Sequence, residues 1–109
     1  MVAKYLVKFT QSAKKDLTGI ARWVMQNDSP GKAASLLTKL EEACSTLNNL
    51  PSRGHALPEL ASIDYQGYLE IHQGPYRIIY HLQEQFVLID AVLDGRRDIH
   101  ELLAKRLLG

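Results

Sequence analysis

The apolar residues of this chain change their period once, and that change restricts what it can fold into. In the first half Leu17, Ile20, Ala21 and Val24 recur at i, i+3, i+4 and i+7, with Ala13 one turn earlier. Ala33, Leu36, Leu37, Leu40, Cys44 and Leu47 form a second stripe of the same kind. Such spacing puts apolar side chains on one face of a helix. Thr10 or Ser12 is placed to cap the first helix, which should stop near Asn27-Asp28. Ser29-Pro30 restarts the chain as a helix, because serine accepts a hydrogen bond from a free N–H and proline suits the first helical position. Asn48-Asn49-Leu50-Pro51 ends it. A link this short makes the two helices an antiparallel hairpin.

Beyond Gly67 the period is two. Tyr68 to Gln73, Tyr76 to Leu82 and Phe86 to Leu93 read as strands, joined at Gly74-Pro75 and Gln83–Gln85. Tyr5, Val7 and Phe9 alternate with Lys4, Leu6 and Lys8 in an earlier strand. Residues 51–67 carry repeated glycine and proline and read mostly as loop. Asp98 is placed to cap a last helix, Ile99 to Leu108, with Leu102, Leu103, Ala104 and Leu107 on its apolar side. The expected order is β-α-α-β-β-β-α. This is an α+β fold in which a helical hairpin covers one face of an antiparallel sheet and the other face stays open. At 109 residues it is expected to form a single domain.

Composition removes several classes. The chain is 46% hydrophobic and 23% charged, ordinary for a globular protein and unlike a disordered one. One cysteine, Cys44, allows no intrachain disulfide and suits a reducing compartment. The longest apolar run, Phe86 to Ile89, is too short to span a membrane, and MVAKYLVKFTQ holds no signal-peptide core. A cytoplasmic location is expected, with no membrane partner. Residues 1–50 carry seven Lys/Arg against four Asp/Glu, +3; residues 51–95 carry two against six, −4; residues 96–109 carry four against two, +2. The total of +1 lacks the basic excess of a dedicated nucleic-acid binder.

A two-residue turn at Gly74-Pro75 fixes which residues oppose one another: His72 with Arg77, Glu70 with Ile79, Tyr68 with His81. These six share one face, and Tyr76, Ile78, Tyr80 and Leu82 share the other with Leu69 and Ile71. The register across the next hairpin decides whether Asp90 or Ile89 joins the Arg77 face. On that face Glu70 or His72 is placed to accept a proton, and Arg77 to grip a phosphate. The plainer reading is a solvated sheet face with a Glu70–Arg77 surface ion pair worth about 0–1 kcal/mol. Asp94-Gly95-Arg96-Arg97-Asp98 offers two guanidinium groups at the sheet end, an anchor for phosphate or an acidic segment, or else a solvated turn. Pro51-Ser52-Arg53-Gly54-His55 reads as a polar loop, and Trp23 as core or interface. The four histidines and Cys44 show no metal-ligand spacing, and no glycine-rich phosphate loop is present. No metal or other cofactor is expected.

The element order resembles the RelE/ParE superfamily, the toxins of bacterial type II toxin–antitoxin modules. Further carriers are Ser29-Pro30 with Ala33-Ala34, Leu50-Pro51-Ser52-Arg53-Gly54, Gly74-Pro75-Tyr76-Arg77-Ile78-Ile79-Tyr80 and Val92-Leu93-Asp94-Gly95-Arg96-Arg97-Asp98. The resemblance covers nearly the whole chain. It implies a growth-inhibiting, plasmid-stabilising type of toxin, neutralised by a cognate antitoxin through which alone it meets operator DNA. A homodimer or a heterotetramer with the antitoxin would fit. RelE-like members cut mRNA on the ribosome, whereas ParE-like members inhibit DNA gyrase and are not enzymes in that act. By resemblance Arg77 matches the phosphate-gripping arginine of the nucleases, and Arg97 or Arg96 a second one. Glu70 and His72 stand where RelE itself has two lysines. The last helix has no tyrosine, and His100 is the polar ring nearest that place. The low net charge favours the gyrase-directed reading, with Arg96, Arg97, His100 and Arg106 as the target- or phosphate-binding set. Ribosome-dependent cleavage by Glu70, His72, Arg77 and Arg97 is the alternative. A third reading is an inactive homologue that serves only as a partner of antitoxin and operator.

Overall fold

The computed structural model describes residues 4–63, 67–97 and 100–108. Strand β1 (Leu6–Phe9) leads through Thr10 into helix α1 (Gln11–Asn27). Of the two candidate caps Thr10 is the one used: its hydroxyl accepts from the Ala13 N–H at 3.1 Å. Helix α2 (Pro30–Ser45) starts as its sequence demands, with Ser29 accepting from the Lys32 N–H at 3.1 Å and Pro30 in the first turn. It then tightens into a 3₁₀ turn, Thr46–Asn48. Strands β2 (His55–Ala56), β3 (Tyr68–Gln73), β4 (Tyr76–Gln83) and β5 (Phe86–Asp94) follow. The last helix, α3 (His100–Leu103), widens into a π-helical segment, Ala104–Leu108. The expected Asp98 cap and the start at Ile99 lie outside the described residues. No described helix is long and apolar enough to cross a membrane.

The five strands form one sheet in the order β1-β5-β4-β3-β2. β1 runs parallel to β5, and all other pairs are antiparallel, so the sheet is mixed. The register of the first hairpin is the one the turn requires: His72 opposes Arg77, Glu70 opposes Ile79 and Tyr68 opposes His81. Between β4 and β5 a bulge intervenes, since Ile79 pairs with Ala91 while Tyr80 pairs with Ile89. The extra residue is Asp90. It therefore joins the Arg77 face, where it meets His81, and Ile89 points to the helices.

Under α1 and α2 lies the larger core. Ala13, Leu40, Ala43, Cys44 and Leu47 pack on Ile71, Tyr76, Ile78, Tyr80, Val87, Ile89 and Val92. Neither helix has another place to bury its stripe, and the apolar face of the meander supplies it. The opposite face does not stay open as the sequence suggested. Leu57 and Leu60, on and beside a 3₁₀ segment (Pro58–Ile63), join Leu103 and Leu107 of the last helix over Ile79, Ala91 and Leu93. The 51–67 stretch thus contributes a lid and a short strand as well as loop. Leu102 and Ala104, expected on the apolar side of the last helix, are exposed.

Gly54 is fixed by close approach. A Cβ there would stand 2.6 Å from the Tyr80 hydroxyl and 2.8 Å from the Glu70 carbonyl oxygen. The bare backbone lets the Gly54 N–H donate to the Tyr80 oxygen at 3.0 Å, while that hydroxyl donates to the Pro51 carbonyl at 2.7 Å. One buried phenol so ties the 51–54 turn to the middle of the sheet.

Candidate functional site

Two regions gather the chemically capable side chains. The first is on the second sheet face. Strand pairing sets Arg77 beside Glu70, and the 3₁₀ segment brings Glu59 to them from above. Arg77 Nε donates to Glu70 Oε1 at 2.6 Å and Nη2 to Oε2 at 2.9 Å. Its Nη1 and Nη2 donate to the two Glu59 oxygens at 2.5 and 2.7 Å. This is one guanidinium held by two carboxylates in fork geometry. The Arg77 side chain is only 12% exposed and that of Glu70 1%. The surface ion pair considered from sequence is therefore a largely enclosed triad, with Glu70 fully buried and Arg77 and Glu59 partly so. Hydrogen bonding from Arg77 holds the Glu59 carboxyl below its usual range, and Glu59 in turn raises the Arg77 pKa above the usual arginine range. His72 Nε2 lies 2.9 Å from Glu70 Oε1, with its ring half exposed. His55 approaches the same carboxylate from β2, its Nε2 3.6 Å from Oε2. His100 opens α3 close enough to Glu59 to lower that carboxyl further. His100 is thereby brought to the edge of this cluster.

The second region follows β5 past the end of β1. Because β1 stops at Phe9, β5 has no strand neighbour there beyond Ile89. Two side chains take over the missing hydrogen bonds. Asp16 Oδ2, from α1, accepts the Val92 N–H at 3.0 Å, and Arg106 Nη2 donates to the Asp90 carbonyl at 2.7 Å. The same two groups form a double hydrogen bond with each other at 3.1 and 3.0 Å. Arg106 thus spends its donors inside the fold, a role that the sequence reading did not foresee for a target-binding candidate. His81 Nδ1, on the far side of the bulge, lies 2.6 Å from Asp90 Oδ2. Burial raises the Asp90 carboxyl above its usual range, against the lowering effect of that histidine.

Beside this edge a groove of about 1210 Å³ runs between α1 and the last helix. Ile20, Trp23, Leu93 and Leu102 give it an apolar floor and rim, and Lys15, Arg97 and Lys105 give it cations. Trp23 is 61% exposed, so of its two expected places the core is excluded. Asp16 is neutralised by Arg106, and Asp94 by Arg96 through contacts of 2.9 and 2.8 Å that lower the Asp94 pKa. Lys15, Arg97 and Lys105 form no ion pair among the described residues, which leaves the groove a cationic surplus over Glu101. Arg96 and Arg97 stand at the groove's end on an exposed turn. Gly95 allows that turn, since a Cβ there would meet the Pro75 carbonyl at 2.9 Å.

The chain is thus a helical hairpin on a mixed five-stranded sheet, flanked by a cationic, partly apolar groove. The family model for the ParE toxin of the type II toxin–antitoxin system parDE matches residues 7–99, and the chain belongs to that family. A search of curated proteins gives no match. Among solved structures, the chromosomal ParDE system from P. aeruginosa aligns with a TM-score of 0.70 at 17% identity, covering 84% of this chain and 96% of that one. The RelBE2 toxin–antitoxin complex from Mycobacterium tuberculosis aligns with a TM-score of 0.59 at 25% identity, covering 86% and 94%. The RelE/ParE expectation from sequence is thereby met, both in family and in fold.

Proposed function

We propose that this type II toxin acts on DNA gyrase through protein–protein contact, and that a cognate antitoxin neutralises it by occupying the groove along β5. The state of Arg77 carries the choice of target. A nuclease of this superfamily needs that guanidinium free for a phosphate, and here Glu59 and Glu70 accept four hydrogen bonds from it at 12% exposure. An incoming phosphate would have to displace two carboxylates from a nearly closed site. Arg96 and Arg97, at the surface, remain available to a partner. The groove suits an amphipathic acidic segment: its apolar side covers Trp23 and Leu102, and its carboxylates meet Lys15, Arg97 and Lys105. Such a segment would also mask Arg97, which links antitoxin binding to loss of target contact.

The test combines purified toxin, gyrase, ATP and supercoiled plasmid. Linear DNA that requires both proteins, and that disappears when the antitoxin is added, is the expected result. Intact plasmid from folded, antitoxin-competent toxin, together with mRNA cut on ribosomes, would move the activity to the Glu70–His72 side of the sheet.

A further inference from the structure

We propose that His55, Glu70 and His72 form a Zn²⁺-binding site that clamps β2 onto the sheet. This inference is independent of the toxin's target. It starts from strand geometry. His55 on β2 is the cross-strand partner of Glu70 on β3, and His72 follows Glu70 by two residues on the same face. Three side chains with metal-binding atoms are thereby aimed at one point. No sequence spacing announces this, because the third ligand comes from a neighbouring strand.

The distances suit a metal. One ligand atom from each residue lies within 4.8 Å of the other two. His72 Nε2 and His55 Nε2 stand 2.9 and 3.6 Å from the Glu70 oxygens. Tetrahedral zinc with bonds of about 2.0–2.2 Å separates its ligands by about 3.4 Å. Small side-chain rotations close the difference, and the two rings already meet edge to face at 5.3 Å. A carboxylate offers about four lone-pair directions. Arg77 takes one on each Glu70 oxygen, and what remains on each oxygen faces an imidazole.

The charge also suits one. Glu59 and Glu70 bring two negative charges and Arg77 one positive, so the triad around the buried Glu70 keeps one negative charge. Two imidazole nitrogens beside a carboxylate whose charge Arg77 only partly offsets invite a cation. Two imidazole nitrogens and one carboxylate select zinc over magnesium or calcium, which prefer oxygen alone. Glu70 is rigid and buried, while His55 and His72 are 63% and 54% exposed, which gives the ion an entry path and a fourth, water-filled position. A proton on one imidazole is the competing occupant. Bound zinc would tie the two-residue β2 to β3 and so hold the flanking 51–63 segment, which carries Gly54 and the lid residues Leu57 and Leu60.

The experiment titrates ZnCl₂ into EDTA-treated, full-length protein near pH 7.5 by calorimetry and follows melting and proteolysis in parallel. One site per chain, a higher Tm and slower cleavage within 51–63 are expected. His55→Ala and His72→Ala should each weaken binding by more than about tenfold and cancel the Tm rise, with unchanged circular dichroism. His81→Ala should bind as the parent does. Co²⁺ in place of zinc should give a ligand-field spectrum that both site variants lose. Folded protein that shows no heat and no Tm shift with ZnCl₂ would leave the proton as occupant and overturn the proposal. Zinc binding that survives both substitutions would overturn it as well.

Discussion

Arg77 and Arg96 are each bound through a hydrogen-bonded fork to carboxylate, yet they serve opposite ends. Arg77 lies between two glutamates under a lid, with hardly any surface left. Arg96 folds back on Asp94, its neighbour but one, and remains in solvent. The contrast extends to the other pair of candidates, since Arg106 is turned inward on Asp16 and Arg97 lines the groove. Charge type therefore says little about function in this chain. What separates a structural arginine from an available one is whether its donors are already taken by groups that cannot reach water. By that measure Arg77 and Arg106 hold the fold together, and Arg96 and Arg97 face outward.

The largest expected effect is at Arg77. Arg77→Ala leaves Glu70 buried without its cation, and breaking such a pair costs about 3–5 kcal/mol. At about 4–8 °C per kcal/mol the Tm should fall by more than about 12 °C. An unchanged melt would place Arg77 with the outward arginines. Next comes Arg106→Ala, which removes charge-assisted bonds to Asp16 and to the Asp90 carbonyl. A loss of about 1.5–3 kcal/mol in urea unfolding is expected. Gly54→Ala forces the Tyr80 hydroxyl away from its two partners and should cost about 1–3 kcal/mol by the same measurement.

A smaller effect sharpens the comparison through pH. The folded pKa of Glu59 is depressed by its bond to Arg77, so the folded state binds fewer protons there than the unfolded one. Its contribution is complete above the ordinary glutamate value of about 4.3 and is lost as pH falls through the lower, folded value. Glu59→Gln should lower stability at neutral pH and flatten this acid limb, read from denaturant midpoints between about pH 2 and 6. Smallest of all, Arg96→Ala should leave the melt unaltered. If Arg96 and Arg97 do meet the target, the double alanine variant should lose gyrase-dependent linear DNA while it keeps its Tm.

Much of this architecture could be read from periodicity. The two helix stripes, the Ser29-Pro30 restart and the alternating strands each rest on local preferences that the structure retains. The facing of Glu70, His72 and Arg77 followed from turn length alone. What escaped was non-local. Glu59 sits in a stretch dense in glycine and proline, and nothing in its spacing ties it to Arg77, 18 residues on. The Asp16–Arg106 contact spans 90 residues. The bulge at Asp90 breaks the period of two in a strand whose residues are apolar on both faces, so the alternation gave no sign of it. His55 met Glu70 only because a two-residue strand forms inside what resembles a loop.

The parallel pairing of β1 with β5 has a consequence for the order of events in folding. Leu6 must find Phe86, a loop closure of 80 residues, and β5 lies between β1 and β4. Closing so long a loop costs entropy before any contact offsets it. During synthesis the first strand leaves the ribosome with no edge to join, and the helical hairpin waits above a sheet that lacks β5, the strand that links β1 to β4. The nascent chain therefore cannot complete its main core until residue 94 has emerged. Truncation within β5 would release a chain that carries the α1 and α2 sequences but lacks both the completed sheet and the last helix.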